Sequence, residues 1–335
     1  MKRQLFHRFE DIISPENLLA AWREFVRGKR HKRDVQEFGL RLMDNILELH
    51  LDLQNKTYRH GPYQHFRIND PKPRDIHKAT VRDRIVHHAI HRVLYWFYHQ
   101  VFITDSFSCR LGKGTHKAMN RFRAFAYHVS HNHTKTLWAL KCDIRKFFAS
   151  IDQTILLSIL KERIPDENII WLLDQVIHSF HSTCPGTGLP LGNLTSQLFV
   201  NIYMNEFDQF VKHGLRQRHY LRYADDFVFM HHDKDVLTVI LSQAHDFLEE
   251  KLKLTLHPDK IFLKTATSGV DFLGWVHFYH HRVLRTTTKK RMFRKIIETS
   301  KRTEVVQSYL ELLRHGNTHR LKQEFNSKIA RKMLG

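Results

Sequence analysis

Cysteine is scarce in this chain: Cys109, Cys142 and Cys184 are the only three in 335 residues. An odd, widely spaced set supports neither a disulfide framework nor a zinc knuckle, and it fits a reducing cytoplasm. Long apolar runs are also missing. No stretch approaches the roughly 20 residues that span a bilayer, and the opening MKRQLFHRFEDIISPE has no signal-peptide core. No membrane partner is therefore expected. Low-complexity tracts and internal repeats are absent. Acidic charge is in short supply, with 34 Asp and Glu against 54 Lys and Arg and a net charge of +20. That imbalance is the electrostatic footprint of a polyanion binder, for which nucleic acid is the usual partner.

Apolar residues make up 42% of the chain and 24 are Phe, so a folded globule of more than one subdomain is expected. The 27 histidines include the clusters HHAIH (87–91) and HVSHNH (128–133). Without a carboxylate or cysteine at ligand spacing, they read as surface or helix-face residues. Residues 15–55 read as helical, with Leu18, Leu19, Trp22, Phe25, Leu40, Leu42, Met43, Ile46, Leu47 and Leu51 as apolar positions. Residues 58–76 are turn-rich and short-stranded, and 80–102 form a long amphipathic helix. TLWALKCDI (136–144) is a strand, followed by a helix for which Asp152 is a fitting N-cap. After GLPLGN (188–193), an apolar i, i+4 pattern from Leu194 to Val211 predicts a helix with a buried face. Another helix spans about 235–252. From 282 onward the pattern is helical and basic, with 15 Lys and Arg against 4 Asp and Glu, as a separate clamp would be.

RYADDFVFM (222–230) places Asp225 and Asp226 side by side between two short strands of a hairpin. Two like charges there cost several kcal/mol unless something compensates. Asp143 ends another apolar strand in the same way. Three such carboxylates in a basic chain suit two divalent cations about 4 Å apart. Oxygen ligands mean Mg²⁺, with Mn²⁺ as a substitute, and a nucleotide is the substrate that brings phosphates to it. Lys72 and Arg74 lie in a turn-rich segment fit to clamp a triphosphate. Phe148, five residues past Asp143, can stand beside a sugar and exclude a 2′-hydroxyl, while Phe147 reads as core. Gly188 and Gly192 bracket Pro190 and allow close backbone approach. Lys260 in HPDK is a candidate general acid for a departing pyrophosphate. Plainer readings stand beside these. Arg110 either touches template or braces its surroundings, Asp83 and Arg84 form a structural pair, and Ser196 and Gln197 cap or hydrogen-bond within their helix.

KCDIRKFFASID, GLPLGNLTSQLFVNIYMNEFD, RYADDF, LTLHPDK and DFLGW occur in the order and spacing of reverse transcriptase palm motifs. PKPRDI, VRDRIVHHAI and SFSCRLGKGTHKA resemble the finger motifs of bacterial, group II intron-like enzymes, and the likeness runs from about 55 to 278. The resemblance implies an α+β right-hand polymerase fold. Its parts would be an N-terminal helical extension (1–55), fingers with part of the palm (56–135), a catalytic palm of antiparallel sheet backed by helices (136–278) and a basic helical thumb (279–335). It also implies roles. Asp143, Ile144, Asp225 and Asp226 form the metal set, with Asp143 and Asp225 as direct ligands and Asp226 in support. Phe148 is the steric gate, Lys72 and Arg74 hold the triphosphate, and Leu191, Gly192 and Gln197 line the nucleotide site. Arg110 meets template, and Phe272, Leu273 and Gly274 form the primer grip.

Most members of that family carry Gln immediately before the motif's central Gly, where this chain has Leu191. The string LGNLTSQ resembles the signature of reverse transcriptases from diversity-generating retroelements, which copy a template-repeat RNA with errors at adenines and so diversify a target gene. Loss of the Gln amide is expected to loosen checking of the nascent base pair. That resemblance implies a structured template RNA, cDNA primer, and a small basic, pentameric accessory protein. It also implies cytoplasmic residence, in a bacterium or encoded by a phage within one. No endonuclease domain, RNase H region, maturase extension or retron-type NAxxH and VTG strings are found. The alternatives are an antiphage-defence or other group II-like reverse transcriptase, and a non-catalytic RNA-binding module on a polymerase scaffold.

Overall fold

In a computed structural model, which describes residues 3–69, 73–299 and 303–334, the chain divides into two units built from interleaved segments. One unit comprises Met1–Thr104, Ile144–Arg216 and Ala244–Leu256; the other comprises Asp105–Asp143, Gln217–Gln243 and His257–Gly335. Lys72 lies outside the described residues.

Several helices of the first unit begin where a side chain can satisfy the free amides of the first turn. Ser14 accepts from the Asn17 N–H ahead of Pro15–Phe25, and Thr80 accepts from the Asp83 N–H ahead of Val81–Val101. Asp152 accepts from the Ile155 N–H at 2.9 Å before Gln153–Lys161, as expected. The helical stretch expected over 15–55 is three helices, Pro15–Phe25, Arg33–Leu40 and Leu42–Gln54. Leu42–Gln54 is apolar on two faces, and only Ile46, Leu49 and Leu53 are buried. Leu40, Met43, Leu47 and Leu51 are exposed.

The expected Asp83–Arg84 pair does not form, because consecutive helical side chains point apart. Asp83 instead accepts from the Tyr58 hydroxyl at 2.8 Å, the Thr80 hydroxyl at 2.5 Å and the Gly61 N–H at 3.1 Å. Arg84 donates to Asp34 at 2.7 Å. His87 is wholly buried, with Nδ1 3.0 Å from the Thr195 hydroxyl, and burial holds it well below the usual imidazole pKa. It is a neutral, hydrogen-bonded core histidine. Strands β1 (Gln64–Ile68) and β2 (Arg74–Lys78) pair antiparallel, from Gln64 opposite Lys78 to Ile68 opposite Arg74.

The second unit holds two antiparallel sheets. In the first, β3 (Trp138–Asp143), β4 (Tyr220–Tyr223), β5 (Asp226–His231) and β6 (Phe262–Thr265) lie in the order β4-β5-β3-β6. In the second, β7 (Val270–Phe272), β8 (Trp275–His277) and β9 (Arg282–Leu284) follow in sequence. Helix Thr115–Val129 buries Ala118, Phe122, Phe125 and Ala126 against Ala139 of β3, Leu221 of β4 and Val228 and Met230 of β5. Because strand side chains alternate, Lys141 and Asp143 share the face of Ala139, and Asp226 shares that of Val228 and Met230. One sheet face thus runs from apolar core at one end to charge at the other.

The basic carboxyl-terminal stretch begins with β9 and continues as the expected helices Thr286–Thr299, Thr303–Leu313 and His319–Leu334, whose Met292, Phe293, Ile296, Leu313 and Phe325 pack with Trp275. The architecture is α+β, as expected. Among the described residues, no helix is long and apolar enough to cross a membrane.

Candidate active site

The Asp pair sits at the hairpin the sequence predicts, Asp225 in its loop and Asp226 as the first residue of β5. β4 and β5 pair from Tyr220 opposite Phe229 to Tyr223 opposite Asp226, leaving Ala224 and Asp225 as the two loop residues. Two-residue hairpin loops call for positive φ, and Ala224 takes it, at +56°. The turn is braced from below by Arg222. This arginine is 1% exposed, and its Nη1 donates to the Ala224 carbonyl at 3.0 Å. Its backbone also bridges the start of the unit: its N–H donates to Asp105 and its carbonyl accepts from Phe107. Asp225 is half-buried at the tip.

Asp143 stands directly opposite Asp226 in the β3–β5 register. Each has its own cation. Lys260 Nζ, from the turn Pro258–Lys260, donates to Asp143 Oδ1 at 2.6 Å. Lys141 Nζ lies 3.3 Å from Asp226 Oδ2. The Asp143 carbonyl accepts from the His257 N–H at 2.8 Å, which ties β3 to the segment carrying Lys260. Asp226 Oδ1 is shielded from solvent and has no hydrogen-bond partner. Burial, opposed by Lys141 and reinforced by Asp143 and Asp225, pushes the Asp226 carboxyl up to about 7. The thiol of Cys142, next to Asp143 in β3 but on the opposite sheet face, is buried and pushed up to about 12, so it is inert.

Among the described residues, no group of three or more His, Cys, Asp and Glu side chains is drawn together closely enough to hold a metal ion. The donor set nevertheless fits magnesium. Its oxygens are hard, one is buried without a partner, and magnesium is commonly held by one or two carboxylates with the rest of its shell from water and phosphates.

The remaining candidates of the second unit are placed as follows. Arg110 is buried and donates to the Ser106 carbonyl at 2.9 Å and its hydroxyl at 2.7 Å. The Phe272 ring is fully buried and stacked on Phe122 at 5.6 Å. Leu273 and Gly274 form a two-residue loop between β7 and β8, both with positive φ.

In the first unit, β2 holds the 188–193 segment: the His77 N–H donates to Leu191, and the Asn193 amide donates to the His77 carbonyl. Gly192 has φ +113°, and a Cβ there would come within 2.9 Å of Ile76 Cγ2, so glycine is required. The Phe148 carbonyl accepts from the Leu189 N–H at 2.8 Å. A cavity of about 510 Å³ in this unit brings Phe148 and Leu191 together with His77, Lys146, Phe180 and Leu189. Arg74 is exposed at the start of β2 and does not line it. Phe147 is buried, as expected. Ile144 is buried and bridged to Leu256. Ser196 is buried and Gln197 half-buried within helix Leu194–Gln209, and the Gln197 carbonyl accepts from Asn201.

Sequence reasoning misses Lys141, Arg222 and Gln153. The Gln153 amide reaches the carbonyls of Ile177, Phe180 and Gly188 at 2.6–3.1 Å and so fixes two loops of the cavity wall.

Comparison with known proteins accords with this geometry. The model of the family described as reverse transcriptase (RNA-dependent DNA polymerase) matches residues 68–277. Protein YkfC of Escherichia coli is 25% identical over 323 residues, covering 83% of each chain. The group II intron-encoded protein LtrA of Lactococcus lactis is 23% identical over 320 residues, covering 74% of this chain and 51% of its own. The chain thus spans most of the first relative and about half of the second. Among solved structures, telomerase from Candida albicans, determined with the TWJ fragment of telomeric RNA, superposes with a TM-score of 0.54 at 11% identity. That match covers 83% of this chain and 58% of the telomerase, and it is a likeness of fold.

Proposed function

Because the chain belongs to the reverse transcriptase (RNA-dependent DNA polymerase) family, we propose that Asp143, Asp225 and Asp226 form its nucleotidyl-transfer centre. The observation that carries this reading is the opposition of Asp143 and Asp226 at the charged end of one sheet face, with a buried carboxylate oxygen left unpaired. Magnesium, or manganese in its place, would be held by Asp143 and Asp225, with Asp226 and Ile144 in support. When bound, it supplies Lewis-acid stabilisation of phosphoryl oxygens and a more acidic primer 3′-hydroxyl. Lys260 carries the proton that a departing pyrophosphate needs. Phe148 excludes a 2′-hydroxyl by bulk, Lys72 and Arg74 bind the triphosphate, and Leu191, Gly192 and Gln197 border the nucleotide. Arg110 supports the template side, and the Phe272–Gly274 turn supports the primer.

The finer reading rests on the LGNLTSQ string. The chain copies a template-repeat RNA with errors at adenines, assisted by a small basic pentameric accessory protein. Fingers (56–135), palm (136–278) and thumb (279–335) follow the division implied by the motifs. The test is primer extension on poly(rA)/oligo(dT) with Mg²⁺, comparing the unmodified chain with Asp225→Asn and Asp143→Asn. Each variant should lose ~10²–10³-fold or more of the rate. Variants as active as the unmodified chain would overturn the assignment.

A further inference from the structure

The second unit contains a cavity of about 460 Å³ that none of the three carboxylates lines. Its walls come from helix Thr115–Val129, from β8, β9 and the turn between them, and from residues 314–317. The lining is electrostatically one-sided: it contains three arginines (Arg123, Arg282 and Arg314) and four histidines, but no Asp or Glu. An acid beside the lining, Glu311, pairs with Arg314 at 2.9 Å and stands 3.8 Å from His315. Among the described residues, Arg123 and Arg282 have no such partner.

Arg282 is held in place without being satisfied. Its Nε donates to the His315 carbonyl, its guanidinium lies over the Trp275 ring at 5.9 Å, and its own carbonyl accepts from the Asn317 N–H at 2.9 Å. Its Nη1 is buried with no hydrogen-bond partner. A guanidinium does not give up its charge in a protein, so an unpaired, shielded N–H is a standing cost. Burial and the nearby Arg123 both press against that charge. His277, buried on the same wall, is pushed down to about 4 by burial and by Arg282, so it is neutral at physiological pH and adds no charge.

A fixed, unsatisfied guanidinium beside a second arginine, in a cavity without acid, is the chemistry that recognises an oxyanion; forked donors suit phosphate above others. We propose that this cavity binds a phosphoryl group, with Arg282 Nη1 and Arg123 as donors. A strand phosphodiester is the natural source in a chain that handles nucleic acid, an attribution that rests on the function proposed above. Free phosphate or pyrophosphate offers the same oxygens.

The experiment measures binding of a labelled RNA–DNA hybrid to the full chain in EDTA across a salt series, which separates it from catalysis. Arg123→Gln and Arg282→Gln are each compared with the unmodified chain, alongside ³¹P line broadening of inorganic phosphate and pyrophosphate. Arg282 also braces its surroundings, whereas Arg123 is exposed, so Arg123→Gln folds even if the other variant does not. A slope of log K against log salt that falls by ~1 per arginine supports the site with a phosphodiester. An unchanged slope, with phosphate broadening lost in the variants, supports it with a free anion. Identical slopes and identical broadening in variants and unmodified chain overturn it, whatever Asp225→Asn does to primer extension.

Discussion

Asp143 and Asp226 are directly opposed across β3 and β5, and each is neutralised by a lysine of its own, Lys260 and Lys141. Like charges opposite each other on adjacent strands destabilise a sheet, so without a metal the lysines are the resident counter-ions. The two pairs differ in their surroundings. Lys260 is about a third exposed, whereas Lys141 is nearly buried. Lys260 is therefore the more readily displaced of the two.

The Asp226 carboxyl, raised to about 7 mainly by burial, has a stability consequence of definite sign. Between the ordinary carboxylate range near 4 and pH 7, the folded chain holds a proton that the unfolded chain has lost. Stability from this group is therefore full below pH 4 and declines as pH rises through 7. Asp226→Asn removes that titration. Urea denaturation in metal-free buffer should show the stability of the unmodified chain falling, relative to Asp226→Asn, by about 3–4 kcal/mol between pH 4 and pH 8. A difference that stays flat across that range would show the carboxyl to be unperturbed.

Lys260 serves either as the proton donor or only as a partner for Asp143, and two substitutions separate these roles. Lys260→Arg keeps a cation within reach of Asp143 but cannot give up a proton; Lys260→Met removes both functions. If Lys260 is the acid, both variants should lose ~10²-fold in kcat with a smaller change in KM for the nucleotide. Full activity in Lys260→Arg would reduce the residue to a counter-ion.

The carboxylates were legible in the sequence because each stands at the end of an apolar strand or in the turn beside one, and charge at such a place needs a reason. The Asp152 cap and the long helices were legible for equally local causes. Lys141 was not. Alternation puts it on the face of Asp143, but its ion pair depends on the β3–β5 register, which no local pattern states. Gln153, one residue past a cap, resembles a surface polar residue until three carbonyls from distant loops converge on it. Phe272 illustrates the reverse. Its motif draws attention to the whole turn, while packing commits its ring to the core and leaves the turn to Leu273 and Gly274.

Gly192 is fixed by two constraints, its φ of +113° and its approach to Ile76. Gly192→Ala should cost ~1–3 kcal/mol in chemical denaturation. Ile76→Ala removes the Cγ2 that the new methyl would strike. The double variant should therefore be more stable than the sum of the single losses by more than ~0.5 kcal/mol. Strict additivity would mean that the strain lies in the backbone alone.

Leu191 offers the sharpest separation between copying and mutagenic copying. Its carbonyl is pinned by the His77 N–H, so a side-chain exchange leaves the backbone path in place. It lines the same cavity as Phe148, where leucine supplies shape and no hydrogen bond. Leu191→Gln adds an amide able to test the geometry of a nascent pair. One hydrogen bond contributes about 0.5–1.5 kcal/mol, so misincorporation opposite template adenine should fall ~2–10-fold while overall extension on the same RNA changes little. Sequencing the cDNA reads both quantities. An adenine error rate unmoved by the substitution would detach Leu191 from fidelity and remove the physical basis for the diversification reading.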